Sequence, residues 1–177
     1  MASDRPNRQR TRTVEPEDRN KVRIVELPAC RMVWSGVSAG SSSTVENERL
    51  RQFKDWWSAR DALRSDRFFG RDFMWWDDQE RGFAWGYAVA EPPDDAGGFD
   101  VMDFPGGLYA VATFTDDGVD VGTTYDMIMA WVEGSGCFAA DPGRPVLNQA
   151  IGTPEAAEAM GYRQQDLYVP ITVACAG

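Results

Sequence analysis

The chain has 177 residues, 43% of them hydrophobic and 12% aromatic, with a formal net charge of -10 and no histidine. That length suits one domain with a sizeable core. The acidity opposes binding to a phosphate backbone or an anionic membrane surface, and the lack of imidazole excludes Ser-His and Cys-His catalysis and every metal site built on histidine.

Cys30, Cys137 and Cys175 are widely spaced, with no C-x-x-C pair. They read as reduced, mostly buried, small apolar residues of a reducing compartment, and no motif implies a metal or a cofactor. No apolar run approaches the roughly 20 residues of a membrane span, and the N-terminus lacks the apolar core of a signal peptide. A cytoplasmic protein without a membrane partner is expected.

Residues 1–20 set Arg5, Arg8, Arg10, Arg12 and Arg19 among Asp4, Glu15, Glu17 and Asp18, with almost nothing apolar. Such a segment cannot offset the entropy of ordering, so a flexible tail is predicted, followed by one folded domain over 21–177. The tail is too short and too polar for a helix-turn-helix, and no nucleic-acid partner is expected for the folded domain.

Residues 22–34 are rich in β-branched and apolar types and broken once by Pro28, which predicts a strand with a proline bulge. Ser43 and Glu46 stand at capping-box spacing ahead of Leu50, Phe53 and Trp57, which share one helical face, so an amphipathic helix ending near Arg64 follows. Residues 73–77 and 83–91 flank a polar turn and predict a hairpin. In its second strand Phe83, Trp85, Tyr87 and Val89 alternate with Ala84, Gly86, Ala88 and Ala90, giving one bulky face and one bare face.

After the Pro-Asp-Gly linker at 92–98 the order of elements recurs. Glu26-Leu27-Pro28 can be laid on Asp103-Phe104-Pro105, acid, apolar and proline matching in place. Thr123 and Asp126 again make a capping-box pair, and Met127, Ile128, Trp131 and Val132 form the stripe of a second helix closed by Gly134. Strands are predicted over 146–151 and 166–173. Between them Thr153, Pro154 and Gly161 mark a short helix by cap, first-turn proline and terminal glycine.

The fold class expected is therefore α+β, a pseudo-twofold duplication of a β-α-β-β module. Two such units leave apolar surface unpaired unless they pack together, which creates a central ligand cleft along the seam. Of the seven tryptophans, Trp34, Trp75, Trp76, Trp85 and Trp131 lie on predicted strands or the second helix. About half should be core, and the rest should line the cleft and stack on a flat ligand.

The string Val101-Met102-Asp103-Phe104-Pro105-Gly106-Gly107-Leu108-Tyr109-Ala110-Val111, with Val25-Glu26-Leu27-Pro28, residues 125–136 and Asp166-Leu167-Tyr168-Val169-Pro170-Ile171, resembles the GyrI-like small-molecule-binding family. That family also supplies the ligand-sensing half of multidrug-responsive bacterial transcription activators. The resemblance implies two modules around an aromatic cleft, with Tyr109, Phe114 and Asn148 facing it. Trp34, Trp75, Trp85, Tyr87, Trp131 and Tyr168 complete the candidate ligand-binding set. The family often carries a buried glutamate that pairs with cationic drugs, whereas 146–151 holds Asn148 and no acid. An uncharged amide cannot neutralise a buried cation, so neutral aromatic ligands are expected.

The function expected is a free-standing binding protein for aromatic, largely apolar small molecules. The alternatives are a histidine-free hydrolase of reactive cyclopropane-containing natural products, with Glu91, Asp103 or another carboxylate activating water, and a protein-interaction or inhibitor module using an edge strand or the acidic surface.

Overall fold

The computed structural model describes residues 21–41, 47–62, 72–91, 93–116 and 121–174. The chain forms β1 (Arg23–Leu27), β2 (Cys30–Trp34), β3 (Ser38–Ala39), α1 (Glu48–Ala62), β4 (Asp72–Asp77), β5 (Gly82–Val89), β6 (Asp100–Phe104), β7 (Gly107–Thr115), α2 (Val121–Ser135), β8 (Phe138–Ala140), β9 (Leu147–Ala150), α3 (Pro154–Met160) and β10 (Gln164–Val173). Among the described residues ten strands and three helices make a mixed α and β fold. Across the sheet the order is β1-β7-β10-β9-β4-β5-β2-β6, with β3 on β5 and β8 on β10, and every pairing is antiparallel.

The stretch 22–34 is not one bulged strand. Pro28, which has no N–H to donate, divides it into β1 on β7 and β2 between β5 and β6. Pro105 divides β6 from β7 in the same way, and β6 was not foreseen as a strand of its own. The two breaks touch. Gly106 has φ 66, and a Cβ there would lie 2.5 Å from Leu27 O and Ala29 N, so a side chain at this crossing is excluded both by space and by backbone conformation.

Arg144 holds the same corner. Its guanidinium donates to the carbonyls of Gly106, Leu108 and Ile171 at 2.7 to 3.0 Å, pairs with Asp141 at 2.8 Å and lies 4.7 Å from the centre of the Tyr109 ring. The start of β7 is thereby tied to the end of β10.

Helix starts differ from the expected ones. Ser43 and Glu46 lie outside the described residues, and α1 is capped by Asn47, whose Oδ1 accepts from Leu50 N at 3.2 Å. Thr123 and Asp126 sit inside α2, which already begins at Val121, so they are not its capping pair. The helix runs past Gly134 to Ser135, and the left-handed glycine is Gly136 at φ 63. The short helix α3 is as expected, with Ala156 N donating to Thr153 Oγ1 and Gly161 at φ 79. The two residues β3 and the strand β8 were not foreseen, being too short to show a period. Cys137 is exposed, contrary to expectation, Cys30 is half-buried, and Cys175 lies outside the described residues, as do the tail 1–20 and the expected helix end at Arg64.

Side chains directly opposite in an antiparallel ladder share a face. By that rule Phe83, Trp85, Tyr87, Val33, Ala110, Ala112, Phe114, Leu167 and Val169 all point to one side. Both long helices cover that side: Phe53 of α1 packs on Val33 and Tyr87, and Ile128 and Val132 of α2 pack on Ala110, Ala112, Phe114, Leu167, Val169 and Ile171.

Among the described residues no helix packs on the opposite side, yet Met32, Phe73, Trp75, Phe104, Tyr109, Val111, Leu147 and Tyr168 are buried there as one apolar cluster. A sheet face that buries itself without a helix must curl, so that these side chains cover one another. Trp34 stacks on Trp75 with centroids 6.0 Å apart, reaching across the bare face of β5. At Gly86 a Cβ would meet the Trp75 ring at 3.0 Å and the Met32 sulfur at 3.1 Å, which explains why that face carries only small residues. Among the described residues no helix is long and apolar enough to cross a membrane.

Candidate functional site

Between the two helices the floor of the sheet is the β4–β9 pair, where Met74 stands opposite Asn148. One row of side chains crosses the helix-bearing face here: Trp85, Met74, Asn148, Leu167 and Ala112, each opposite the next. Its ends lie under α1 and α2. Its centre belongs to no apolar cluster, for Met74 and Asn148 are only half-buried, and Trp76, two residues along β4 on the same face, is 42% exposed. Among the described residues the result is a groove with helical walls and a half-buried middle.

The chemistry of the groove is aromatic and largely uncharged. Trp85 is half-buried and donates from Nε1 to Asp72 Oδ2 at 3.1 Å. Trp57 of α1 meets Trp85 at 5.9 Å edge to face and stacks on Tyr87 at 5.8 Å and 13°. Tyr87 is core, its hydroxyl donating to the buried Asp61 at 3.0 Å. On the other side Trp131 of α2 stacks on Phe138 at 6.3 Å, and β8 follows the β9 edge of β10. Trp76 meets Phe83 at 5.2 Å.

Asn148 is the polar feature of the floor. Its Oδ1 is buried and finds no hydrogen-bond partner among the described residues, and Trp57 Nε1 and Trp131 Nε1 share that condition. Buried acceptors and donors are almost always satisfied, so the unpartnered Asn148 Oδ1 in this floor marks a place where another molecule can supply the bond.

The nine candidate residues divide between the two faces of the sheet. Trp85, Tyr87, Phe114, Trp131 and Asn148 lie on the helix-bearing side, Tyr87 and Phe114 as buried core. Trp34, Trp75, Tyr109 and Tyr168 lie on the curled side, with Tyr109 and Tyr168 meeting at 6.1 Å. Tyr109 and Phe114 are an odd number of residues apart on one strand, so they cannot face one cleft. Tyr109 is thus no neighbour of Asn148, whose ladder partners are Met74 and Leu167. Met74, Trp76 and Trp57 were missed as groove residues; the clue was the spacing of Met74 and Trp76, which share one face of β4.

The curled side carries its own polar chain. Tyr168 donates to Gln149 Oε1 at 2.8 Å, and Asp166, buried beside it, accepts from Thr113 Oγ1 at 2.6 Å and pairs with Arg23. Burial first, and then the Asp166 charge, push the Tyr168 phenol up to about 12, against a smaller opposing effect of Arg23. Glu91 and Asp103, the carboxylates considered for water activation, are exposed at strand ends, Asp103 loosely paired with Arg31 at 3.5 Å. No group of three or more metal-ligating side chains occurs among the described residues.

Comparison with known proteins agrees with this architecture. The C-terminal domain of EcmrR has the same fold at a TM-score of 0.60 and 10% identity, over 86% of this chain and 98% of that one. A hydrolase from Listeria innocua follows at 0.57 and 14%, over 86% and 92%. SAV2435, solved bound to tetraphenylphosphonium, gives 0.51 and 12%, over 85% and 93%. No curated protein matches the chain. The description GyrI-like small molecule binding domain matches residues 43–171, which is more than half of the sequence, and the chain belongs to that family.

Proposed function

We propose that the protein binds aromatic, largely apolar, uncharged small molecules in the groove between α1 and α2, with Asn148 as the polar contact. The observation that carries this reading is the buried Oδ1 of Asn148, without a hydrogen-bond partner among the described residues, on the half-buried floor between the two helices. An amide oxygen accepts a hydrogen bond without supplying charge, so it favours a ligand with an N–H or O–H over a permanent cation. Trp85, Trp57 and Trp76 offer flat faces beside it. SAV2435, a structural neighbour, holds tetraphenylphosphonium, a bulky aromatic cation, which supports the aromatic part of this reading, while the preference for uncharged ligands rests on Asn148. Cytoplasmic sensing or sequestration of such compounds suits the acidic, histidine-free composition.

The groove in this reading is the seam of a duplication. Exchanging β1 with β6, β2 with β7, β4 with β9 and β5 with β10 turns the strand order into its own reverse, as a pseudo-twofold axis between β4 and β9 requires. The corresponding helices, α1 and α2, then flank that axis. Titrating planar dyes while following tryptophan fluorescence tests the proposal. Saturable quenching at micromolar concentration by neutral dyes is expected, and no quenching by any of them would overturn it.

Among the structural neighbours, the Listeria protein described as a hydrolase is what favours the hydrolase reading. The exposed positions of Glu91 and Asp103 give it no built site.

A further inference from the structure

We propose that Cys137 and Cys175 form a reversible disulfide, a modification site that ties the turn after α2 to the end of β10. The ladder between β8 and β10 brings the two positions together. It pairs Ile171 with Ala140, Thr172 with Ala139 and Val173 with Phe138. The next step outward sets Ala174 against Cys137, and its bond is made, Ala174 N donating to Cys137 O at 2.8 Å. Cys175 is the residue after Ala174.

Covalent geometry limits the separation. Opposite residues of an antiparallel ladder stand about 4.5–5.5 Å apart at Cα, and consecutive residues about 3.8 Å, so the two cysteine Cα atoms lie within about 9 Å of each other. A disulfide needs about 4.4–6.8 Å. Since β10 ends at Val173, rotation about the backbone bonds of Ala174 reaches that window.

Cys137 is presented by a held turn. Its N donates to Ser135 Oγ at 3.2 Å, and the same hydroxyl accepts from Phe138 N at 3.3 Å and donates to Val132 O at 2.7 Å. Cys137 is exposed and open to a dissolved oxidant, whereas Cys30 is half-buried on β2 and stands opposite Phe104, outside this ladder. A short tether to a fixed turn favours closure within one chain over attack on a second.

The oxidant is a low-molecular-weight disulfide such as oxidised glutathione. The thiolate of one cysteine attacks the reagent S–S bond, forms a mixed disulfide and releases one glutathione thiolate. The thiolate of the other attacks the protein sulfur of that adduct, closes the bond between Cys137 and Cys175 and releases the second glutathione. The protein gives up two electrons and two thiol protons, the reagent takes up both, and excess reduced glutathione reverses the sequence. In a reducing compartment such bonds are transient and redox-sensing. Phe138, next to Cys137, stacks on Trp131, so the bond also restrains one wall of the groove, a consequence that rests on the binding function proposed for that groove.

The test uses the full chain, reduced and freed of reductant, then equilibrated with glutathione mixtures of rising oxidised fraction. The intact mass is expected to fall by two hydrogens and the free thiols from three to one, with peptide mapping joining Cys137 to Cys175. Added reductant should restore all three. Cys30→Ser should close the same bond, while Cys137→Ser and Cys175→Ser should each stop at a mixed glutathione adduct. A covalent dimer, a bond to Cys30, separate adducts on Cys137 and Cys175, or three thiols still free in oxidised glutathione would overturn the pair. With the bond mapped, a neutral dye is expected to bind the oxidised chain about fivefold more tightly, because the wall is already ordered. Equal affinity of the two forms would remove the coupling to the groove and leave the bond. Peptide mapping needs no dye, so the disulfide and the groove fail separately.

Discussion

Met74 and Asn148 stand directly opposite each other on β4 and β9, the ladder that joins the two halves of the sheet among the described residues. Everything proposed for the groove depends on that pairing, because it sets the Asn148 amide oxygen, unpartnered among the described residues, on the helix-bearing face. Asn148→Glu places a carboxylate there, which must either take up a proton at a raised pKa or find a cationic partner. We expect affinity for planar cations to rise about tenfold or more, as a charged hydrogen bond of about 1.5–3 kcal/mol implies, and affinity for neutral dyes to fall. Calorimetry with one cationic and one neutral dye checks it; unchanged selectivity would remove Asn148 from the ligand.

Trp85 and Trp75 belong to adjacent strands but to opposite faces. Trp75 is 8% exposed and stacked on Trp34, so Trp75→Ala should cost about 3–5 kcal/mol and lower the melting temperature sharply. Trp85 is half-buried beside the groove, and Trp85→Ala should abolish dye quenching with a smaller thermal effect. Thermal melts together with dye titrations separate the two, and a Trp85 variant that binds dye at full strength would exclude it from the site.

Gly106→Ala should be strongly destabilising. The new methyl would sit 2.5 Å from the backbone of Leu27 and Ala29, on a residue whose left-handed conformation alone costs about 1–2 kcal/mol for an L side chain. Urea unfolding measures the loss. Gly161→Ala provides the control, since it has the same sign of φ at 79 but nothing within 4 Å, so only the conformational part should appear.

Alkaline stability should depend on Tyr168. Its phenol titrates near 12 in the folded protein, above the ordinary value near 10. A raised folded pKa means that the contribution is whole below pH 10 and is lost as pH rises through the interval from about 10 to about 12, where the unfolded chain ionises first. Tyr168→Phe should flatten that part of the stability curve. Ultraviolet titration should find one tyrosine fewer ionising at the upper end.

Arg144→Lys keeps the charge beside Asp141 but cannot reach three carbonyls at once. We expect a loss of stability of a few kcal/mol, on the order of two hydrogen bonds to a charged donor at about 1.5–3 kcal/mol each. Denaturant melts of the two proteins give the difference directly.

Local order was legible in the sequence because it is written in neighbouring residues. Thr153, Pro154 and Gly161 announce α3, the alternation in β5 separates a bulky face from a bare one, and Leu50 with Phe53 marks the buried side of α1. The family string around Pro105 and the absence of an acid in 146–151 were legible for the same reason. What the sequence could not settle was partnership. Whether Pro28 bulges one strand or divides two depends on β7 and β6, which lie some eighty residues away in the chain, and whether Tyr109 and Phe114 share a cleft depends on the sheet having two used faces. The tertiary structure decided both, since pleat parity assigns each side chain a side but only strand order and helix placement determine which side becomes core, which becomes groove, and that Asn148 falls opposite Met74 between two helices.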